Sequence, residues 1–263
     1  MPNTDNNFAC TTPHFFTLNL GIRGGVVIES GGFDGVTFSV SYMFEKFADW
    51  TSILVEADLQ NFENMLKNRK EAININCALC NSTSTLHYTQ GGTVAGILEF
   101  MAPGFLATWH ASLDRGENKD KLRAELKTVQ CIKMASLLST IGVTRVDLWI
   151  LDVEGAEEVV LHSVDWESVQ ISAIMMECDN HGIERNLRSM AYLAEKKYTC
   201  IKPKNDCLCL HETFTPSSRG TLRKRPREKE TGKSHRAGHH GRGHMRNSVA
   251  TGGLPAGGEG GLN

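Results

Sequence analysis

Residues Val146-Asp-Leu-Trp-Ile-Leu-Asp-Val-Glu-Gly-Ala-Glu157 decide the reading of this chain. An apolar run of strand length ends in Asp152 and Glu154, and a glycine and a helical segment follow. A strand that is apolar on both faces belongs in the middle of a parallel sheet covered by helices. In such sheets ligands bind beyond the carboxyl ends of the strands, where the strand order reverses. The acids after Leu151 are therefore candidate site residues.

The same pattern recurs outward from this stretch. Residues 26–30 (VVIES), 52–57 (SILVEA), 72–79 (AININCAL) and 171–178 (ISAIMMEC) read as further strands. Helical spacing connects them at 38–49, at 59–69 (Leu59, Phe62, Met65 and Leu66 on one face), at 155–162 and at 183–196. Residues 119–140 carry a long helical pattern with a break near Lys127, and 198–211 read as a strand pair turning at Asn205 and Asp206. Strand and helix in alternation give an α/β fold: a doubly wound, mostly parallel sheet with an antiparallel hairpin at its C-terminal edge. Residues 81–118, with Gly91-Gly92, Pro103-Gly104 and Arg115-Gly116, read as an irregular insertion, and loops of that length usually serve function.

Three regions are expected: an N-terminal extension at 1–23, one folded domain at 24–214, and a basic Gly- and His-rich disordered tail at 215–263. The tail holds the patch Arg223-Lys-Arg-Pro-Arg227 and a cluster of His239, His240 and His244. From residue 216 on lie ten of the 28 Lys and Arg but three of the 30 Asp and Glu, which leaves the body acidic. An acidic body argues against broad nucleic-acid binding, because phosphates are met by Lys and Arg. No apolar run is long enough for a membrane span. The first twenty residues lack the basic and apolar regions of a signal peptide, so a cytoplasmic location is expected. The eight cysteines sit mostly in strand- or helix-like runs and read as small buried residues in a reducing compartment. A zinc site from Cys77, Cys80, Cys207 and Cys209 is disfavoured, because strands turn alternate side chains to opposite faces. No metal is expected.

The strand ends define the candidate site. After the first strand come Glu29, Ser30, Gly31, Gly32, Phe33, Asp34 and Gly35, a turn whose glycines allow close backbone approach to a ligand. It is not the GxGxxG pattern of dinucleotide enzymes, which disfavours a nicotinamide-dependent oxidoreductase. The second strand ends in Glu56 and Ala57, and an acid there can accept hydrogen bonds from ribose hydroxyls. Ala78 after the third strand suits one wall of an adenine slot. Acids at the next two strand ends (Asp152 and Glu154; Glu177 and Asp179, with His181) can act as a base, orient a hydroxyl, hold a cation through Asp152 and Asp179, or merely cap helices.

These residues resemble the FkbM-type methyltransferases. The likeness is carried in order by ESGGFDGVTFS (29–39), by Phe44-Glu45-Lys46 with Trp50–Ala57, by Ala78-Leu79-Cys80 with His87-Tyr88, and most distinctively by Asp152-Val-Glu-Gly-Ala-Glu157. It spans roughly residues 24–212. The resemblance implies a class I, Rossmann-like methyltransferase fold, S-adenosylmethionine as cofactor, and methyl transfer to a hydroxyl on a sugar or small metabolite. It places Glu29 and the Gly31–Gly35 loop at the methionine end, Glu56 at the ribose, and Asp152 and Glu154 near sulfonium and acceptor. Asp152 or Glu154 is the expected base or its orienter, with His181 as a further candidate. The family often has Ser-Asn-Thr after the first loop. Ser39-Val40-Ser41 lacks the Asn, so one polar contact is expected to be missing. A catalytically inactive binding module on the same fold is the alternative.

Overall fold

The computed structural model describes residues 23–203 and 205–214. In chain order they form β1 (Val26–Ser30), α1 (Ser41–Ala48), β2 (Thr51–Glu56), α2 (Leu59–Asn68), β3 (Ile73–Asn76), β4 (Ala78–Leu79), β5 (Ser84–Tyr88), α3 (Pro103–Trp109), α4 (Ala111–Asp114), α5 (Lys119–Ala124), β6 (Lys127–Ile132), α6 (Met134–Ile141), β7 (Arg145–Val146), β8 (Leu148–Leu151), α7 (Glu157–Leu161), β9 (Gln170–Ile171), β10 (Ala173–Glu177), α8 (Ile183–Glu195), β11 (Tyr198–Ile201) and β12 (Asp206–His211). The expected N-terminal extension, save Arg23, and the expected tail from 215 with its Arg and His clusters lie outside the described residues.

Seven strands make one sheet in the order β3-β2-β1-β8-β10-β12-β11. All its pairings are parallel except those of β12, which runs antiparallel to both neighbours. The order reverses between β1 and β8, so the crevice beyond their carboxyl ends is where a ligand is expected. The apolar strands sort their side chains by the two-residue period. Ile28, Trp149, Leu151, Ile174 and Met176 face one core with Met134, Leu137 and Leu138 of α6, Val160 and Leu161 of α7, and Leu193 of α8. Val27, Leu148, Ile150, Ala173 and Met175 face the other, against Phe44 and Ala48 of α1 and Trp50.

Element ends follow local chemistry. Asp58 caps α2, its Oδ1 accepting from the Asn61 amide at 3.0 Å. Gly142 ends α6 in the left-handed region at φ 70°. Two expectations change. The helical pattern over 119–140 with its break near Lys127 is α5, β6 and α6, so the residues after the break are a strand. Lys127–Ile132 pairs antiparallel with β5, and its last two residues pair parallel with β4, in a separate three-stranded sheet. The strand expected over 72–79 is split, with β3 on the main sheet and β4 on the small one.

The cysteine reading also changes. Cys80 is joined to Cys131, Cys178 to Cys207 and Cys200 to Cys209, while Cys77 is free and buried. The topology is the cause. Cys200 and Cys209 are register partners across β11 and β12, and Cys178 follows β10 beside the start of β12, where its amide meets the Asn205 carbonyl at 2.6 Å. Among the described residues no helix is long and apolar enough to cross a membrane.

The Cys178–Cys207 link closes a sequence separation of 29 residues at the end of the sheet. Replacing both by Ser should lower unfolding stability by about 2–4 kcal/mol in denaturant titrations. Added reductant, which also opens the other two links, should bring both chains to one common lower level; identical curves for both chains without reductant would contradict the link.

Candidate active site

The turn after β1 is shaped by contacts that leave room for backbone alone. Gly31 has φ 89°, and a Cβ there would lie 1.8 Å from the Asp152 carbonyl oxygen. The Gly31 and Gly32 amides both donate to the Val55 carbonyl at 3.0 Å, which ties the turn to the end of β2. A Cβ on Gly32 would press on Met65 and Leu54. Gly35, at φ 78°, packs on the Arg69 stem.

Two buried charges hold the rest of this loop. Glu29 accepts from the Val40 amide (2.7 Å) and from the hydroxyls of Ser39 (2.6 Å) and Ser41 (2.5 Å). Arg69 is fully buried and donates to the Gly35 carbonyl (2.8 Å), Ser39 Oγ (3.0 Å), Ser41 Oγ (3.2 Å) and Glu45 (2.7 Å). The Ser-Val-Ser triplet that departs from the family pattern is thus a lock on Glu29, and Val40 packs beside the second core.

The loop opens on a cavity of about 340 Å³. Glu29, Gly31, Gly32, Glu56, Ala57, Ala78, Asp152 and Glu154 all line it. Asp34 and Gly35 do not. Asp34 folds back on its own loop and accepts from the Val36 amide (2.9 Å), the Thr37 amide (2.6 Å) and the Thr37 hydroxyl (2.7 Å). His181 does not line it either. It borders a separate cleft with Arg185 and Arg188, edge-on to Phe105. Asp179 accepts the His181 and Gly182 amides at 3.1 Å, which uses it as a turn residue ahead of α8. Six lining residues come from the insertion: Tyr88, Gly92, Thr93, Ala95, Gly96 and Ile97. His110 steadies that wall through the Val94 carbonyl at 2.8 Å. Phe38, 78% exposed and at φ 60°, stands on the rim.

Glu56 is built for acceptance. Its Oε2 accepts the Phe33 amide and its Oε1 the Asp58 amide, each at 2.8 Å, and each oxygen keeps a lone pair. Burial pushes its carboxyl up to about 7 against those hydrogen bonds.

At the opposite end Asp152, Glu154 and Glu177 converge, one oxygen of each lying within 4.8 Å of the others. Asp206 joins them across the sheet, in register with Glu177. Removal from water and mutual repulsion raise all three, to about 7 for Asp152, 9 for Glu154 and 10 for Glu177. Asp152 is reached from the cavity, whereas Glu154 Oε2 is shielded and meets no donor. Glu154 holds φ 51°, a conformation maintained by its neighbour Glu157, whose Oε1 accepts the Val153 and Gly155 amides at 3.1 and 3.2 Å. Asp179, expected to pair with Asp152 around a cation, lies outside this group, and its Oδ1 serves the turn. Glu177 sat among the strand-end acids but was not singled out. Asp206 read as a turn residue, and Arg69 gave no sign of its role.

The sequence pattern that defines the methyltransferase FkbM domain matches residues 29–199. The chain belongs to the FkbM methyltransferase family. No curated protein matches the sequence. Among solved structures, an FkbM methyltransferase from Methylobacillus flagellatus KT is 10% identical, with 72% of this chain and 44% of that chain covered and a TM-score of 0.42. A putative caffeoyl-CoA O-methyltransferase from Staphylococcus aureus is 11% identical (80% and 85% covered, TM-score 0.42). Aeropyrum pernix fibrillarin with natively bound S-adenosyl-L-methionine is 10% identical (76% and 71% covered, TM-score 0.41). The fold is the class I, Rossmann-like methyltransferase fold, and the cofactor of this FkbM domain is S-adenosylmethionine. Its residues suit that group: a turn at Gly31 that a Cβ would fill, an acid with free lone pairs after β2, a small apolar wall at Ala78, and carboxylates beyond β8 where a sulfonium needs negative surroundings.

The raised carboxyls set a pH dependence. A carboxyl whose folded value exceeds its unfolded one binds more protons in the folded state, so stability falls as pH rises between the two values. The ligand-free FkbM domain should therefore lose stability between about pH 4.5 and about pH 10, by up to about 1.4 kcal/mol per pH unit for each of half-buried Glu154 and Glu177 and by less for solvent-exposed Asp152. Glu177→Gln should flatten the slope in urea titrations; an unchanged slope would show that Glu177 is ionised throughout.

Proposed function

We propose that this FkbM domain is an O-methyltransferase acting on a hydroxyl of a sugar or other small metabolite. The observation that carries this is the convergence of Asp152 and Glu154 with Glu177 at the end of the cavity remote from Glu56. A hydroxyl is a poor nucleophile until its proton has somewhere to go, and a carboxyl poised near neutrality is suited to receive it. Asp152, reached from the cavity and raised to about 7, is the assigned base. Glu154, raised further, keeps its proton at neutral pH and orients the acceptor.

Bound S-adenosylmethionine supplies an activated methyl group, so the protein's work is mainly positioning. Glu56 is assigned to the ribose hydroxyls through its free lone pairs. The Gly31–Gly32 turn lets backbone approach the methionine end, and Ala78 and Leu79 flank the base. Asp34, Gly35 and His181 are left out of cofactor binding and catalysis, since the cavity does not reach them. Gly92–Ile97 and Phe38, on the wall and rim, are the residues that select the acceptor. The acidic lining of the cavity favours a small acceptor over nucleic acid, whose phosphates it repels. Three disulfides favour an oxidising compartment over the cytoplasm expected from sequence.

Turnover tests this reading. With small hydroxyl acceptors, wild-type chain should release S-adenosylhomocysteine and add one methyl group to oxygen. Asp152→Asn should lower kcat by about 10²–10⁴-fold while changing the cofactor Kd only a few-fold. Full activity in that variant would remove Asp152 as base.

A further inference from the structure

The charge on the cavity wall is one-sided. Six carboxylates line it, and no Lys, Arg or His among the described residues does. Two of the six are already matched: Glu29 by the Ser39, Val40 and Ser41 donors, and Glu56 by two backbone amides. The other four, Asp152, Glu154, Glu177 and Asp206, gather at the β8–β10–β12 end. Glu177 and Asp206 stand directly opposite each other across two strands, an arrangement of like charges that destabilises a sheet. The carboxylate oxygen Oε2 of Glu154 is sealed from solvent with no donor at all. Arg185 attracts this group from behind, but it is committed elsewhere. Its Nη1 donates to the Gly155 carbonyl at 3.1 Å and its Nη2 lies 3.5 Å from Glu157.

Crowded, mostly half-buried acids of this kind hold their protons until a cation enters beside them and lets them ionise. S-adenosylmethionine carries a sulfonium and an ammonium against one carboxylate, a net charge of one. That lets at most one of the four acids ionise, so the second substrate is where further positive charge can enter.

We propose that the acceptor is itself a cation: a small molecule bearing a protonated amine beside its hydroxyl, such as an amino sugar or amino alcohol. Glu177 and Asp206 hold the ammonium, and the hydroxyl meets Asp152 and Glu154. This rests on the O-methyltransferase reading and narrows it. A protonated amine has no lone pair to offer, so the hydroxyl oxygen is the nucleophile. Its bond to the methyl carbon forms as the carbon–sulfur bond breaks, the bonding pair stays on sulfur as a neutral thioether, and the hydroxyl proton passes to Asp152. Acceptors carrying phosphate or carboxylate are turned away, because no cation on this wall receives them.

The test uses the full chain with S-adenosylmethionine and two matched sets of acceptors. One contains glucosamine, galactosamine, mannosamine and 2-aminocyclohexanol; the other contains their N-acetyl forms. Products are read by mass spectrometry, with fragmentation to locate the methyl group. The expected result is O-methylation of free-amine members at least ten-fold faster than of N-acetyl members. In Glu177→Gln/Asp206→Asn that preference should disappear while the S-adenosylhomocysteine Kd changes less than about three-fold. Equal or faster reaction of the N-acetyl set overturns the proposal, as does a preference that survives in the variant, or no product from either set by chain that binds the cofactor. Acceleration of the N-acetyl set by Mg²⁺, abolished by chelator, also overturns it and gives the negative charge to a metal ion. Methyl found on nitrogen has a different meaning: it sinks the hydroxyl reading and leaves Glu177 and Asp206 as the cation subsite.

Discussion

The Asp152 carbonyl passes so close to Gly31 that a single methyl group between them would sit 1.8 Å from the oxygen. That contact is where β1 and β8 part company at the reversal of strand order, and the rest of the site is arranged around it. The Asp152 amide donates to the Ser30 carbonyl at 3.1 Å, so the two strand ends stay in register up to the point of divergence. Beyond it one chain turns toward Glu56 and the other toward Glu154. The crevice between them can exist only because residue 31 lacks a side chain and tolerates a positive φ.

Around that constraint the molecule handles buried charge in two ways. On the loop side it satisfies its acids internally. Glu29 has hydroxyl and amide donors, and Arg69 gathers Gly35, Ser39, Ser41 and Glu45 onto one guanidinium, whose planar fork suits several partners at once. On the far side it leaves acids unmatched, with Asp152, Glu154 and Glu177 crowded and raised by burial and by one another. Internally satisfied charge gives a rigid cradle. Unmatched charge gives a place whose stability depends on what binds there, which is how perturbed acids mark functional sites.

Much of this was legible in the sequence because it depends on local pattern. The strands around Val27, Leu54, Ile150 and Met175 are apolar on both faces, and the acids after them fall at predictable ends. What stayed hidden depends on distant partners. Arg69 looks like any Arg after a helix, since its partners lie 24 to 34 residues earlier in the chain. Asp206 read as a turn residue because its meaning comes from pairing with Glu177 across the sheet. The disulfides were missed for the same reason: Cys200 and Cys209 meet only once β11 and β12 are in register. β6 was lost to helix because a helical run leads into it and its face is half exposed. Asp34 was over-read, as its place in a glycine-rich turn says nothing of which way its carboxylate points.

The central claim is that one cavity, framed by Gly31 and Glu56, holds S-adenosylmethionine. Calorimetric titration of the full chain with the cofactor, beside Glu56→Ala, tests it most directly. Binding in the micromolar range that weakens at least ten-fold in the variant, with both chains equally folded by circular dichroism, is the predicted result. Equal affinity in the two chains, or no binding by folded wild-type chain, would contradict it.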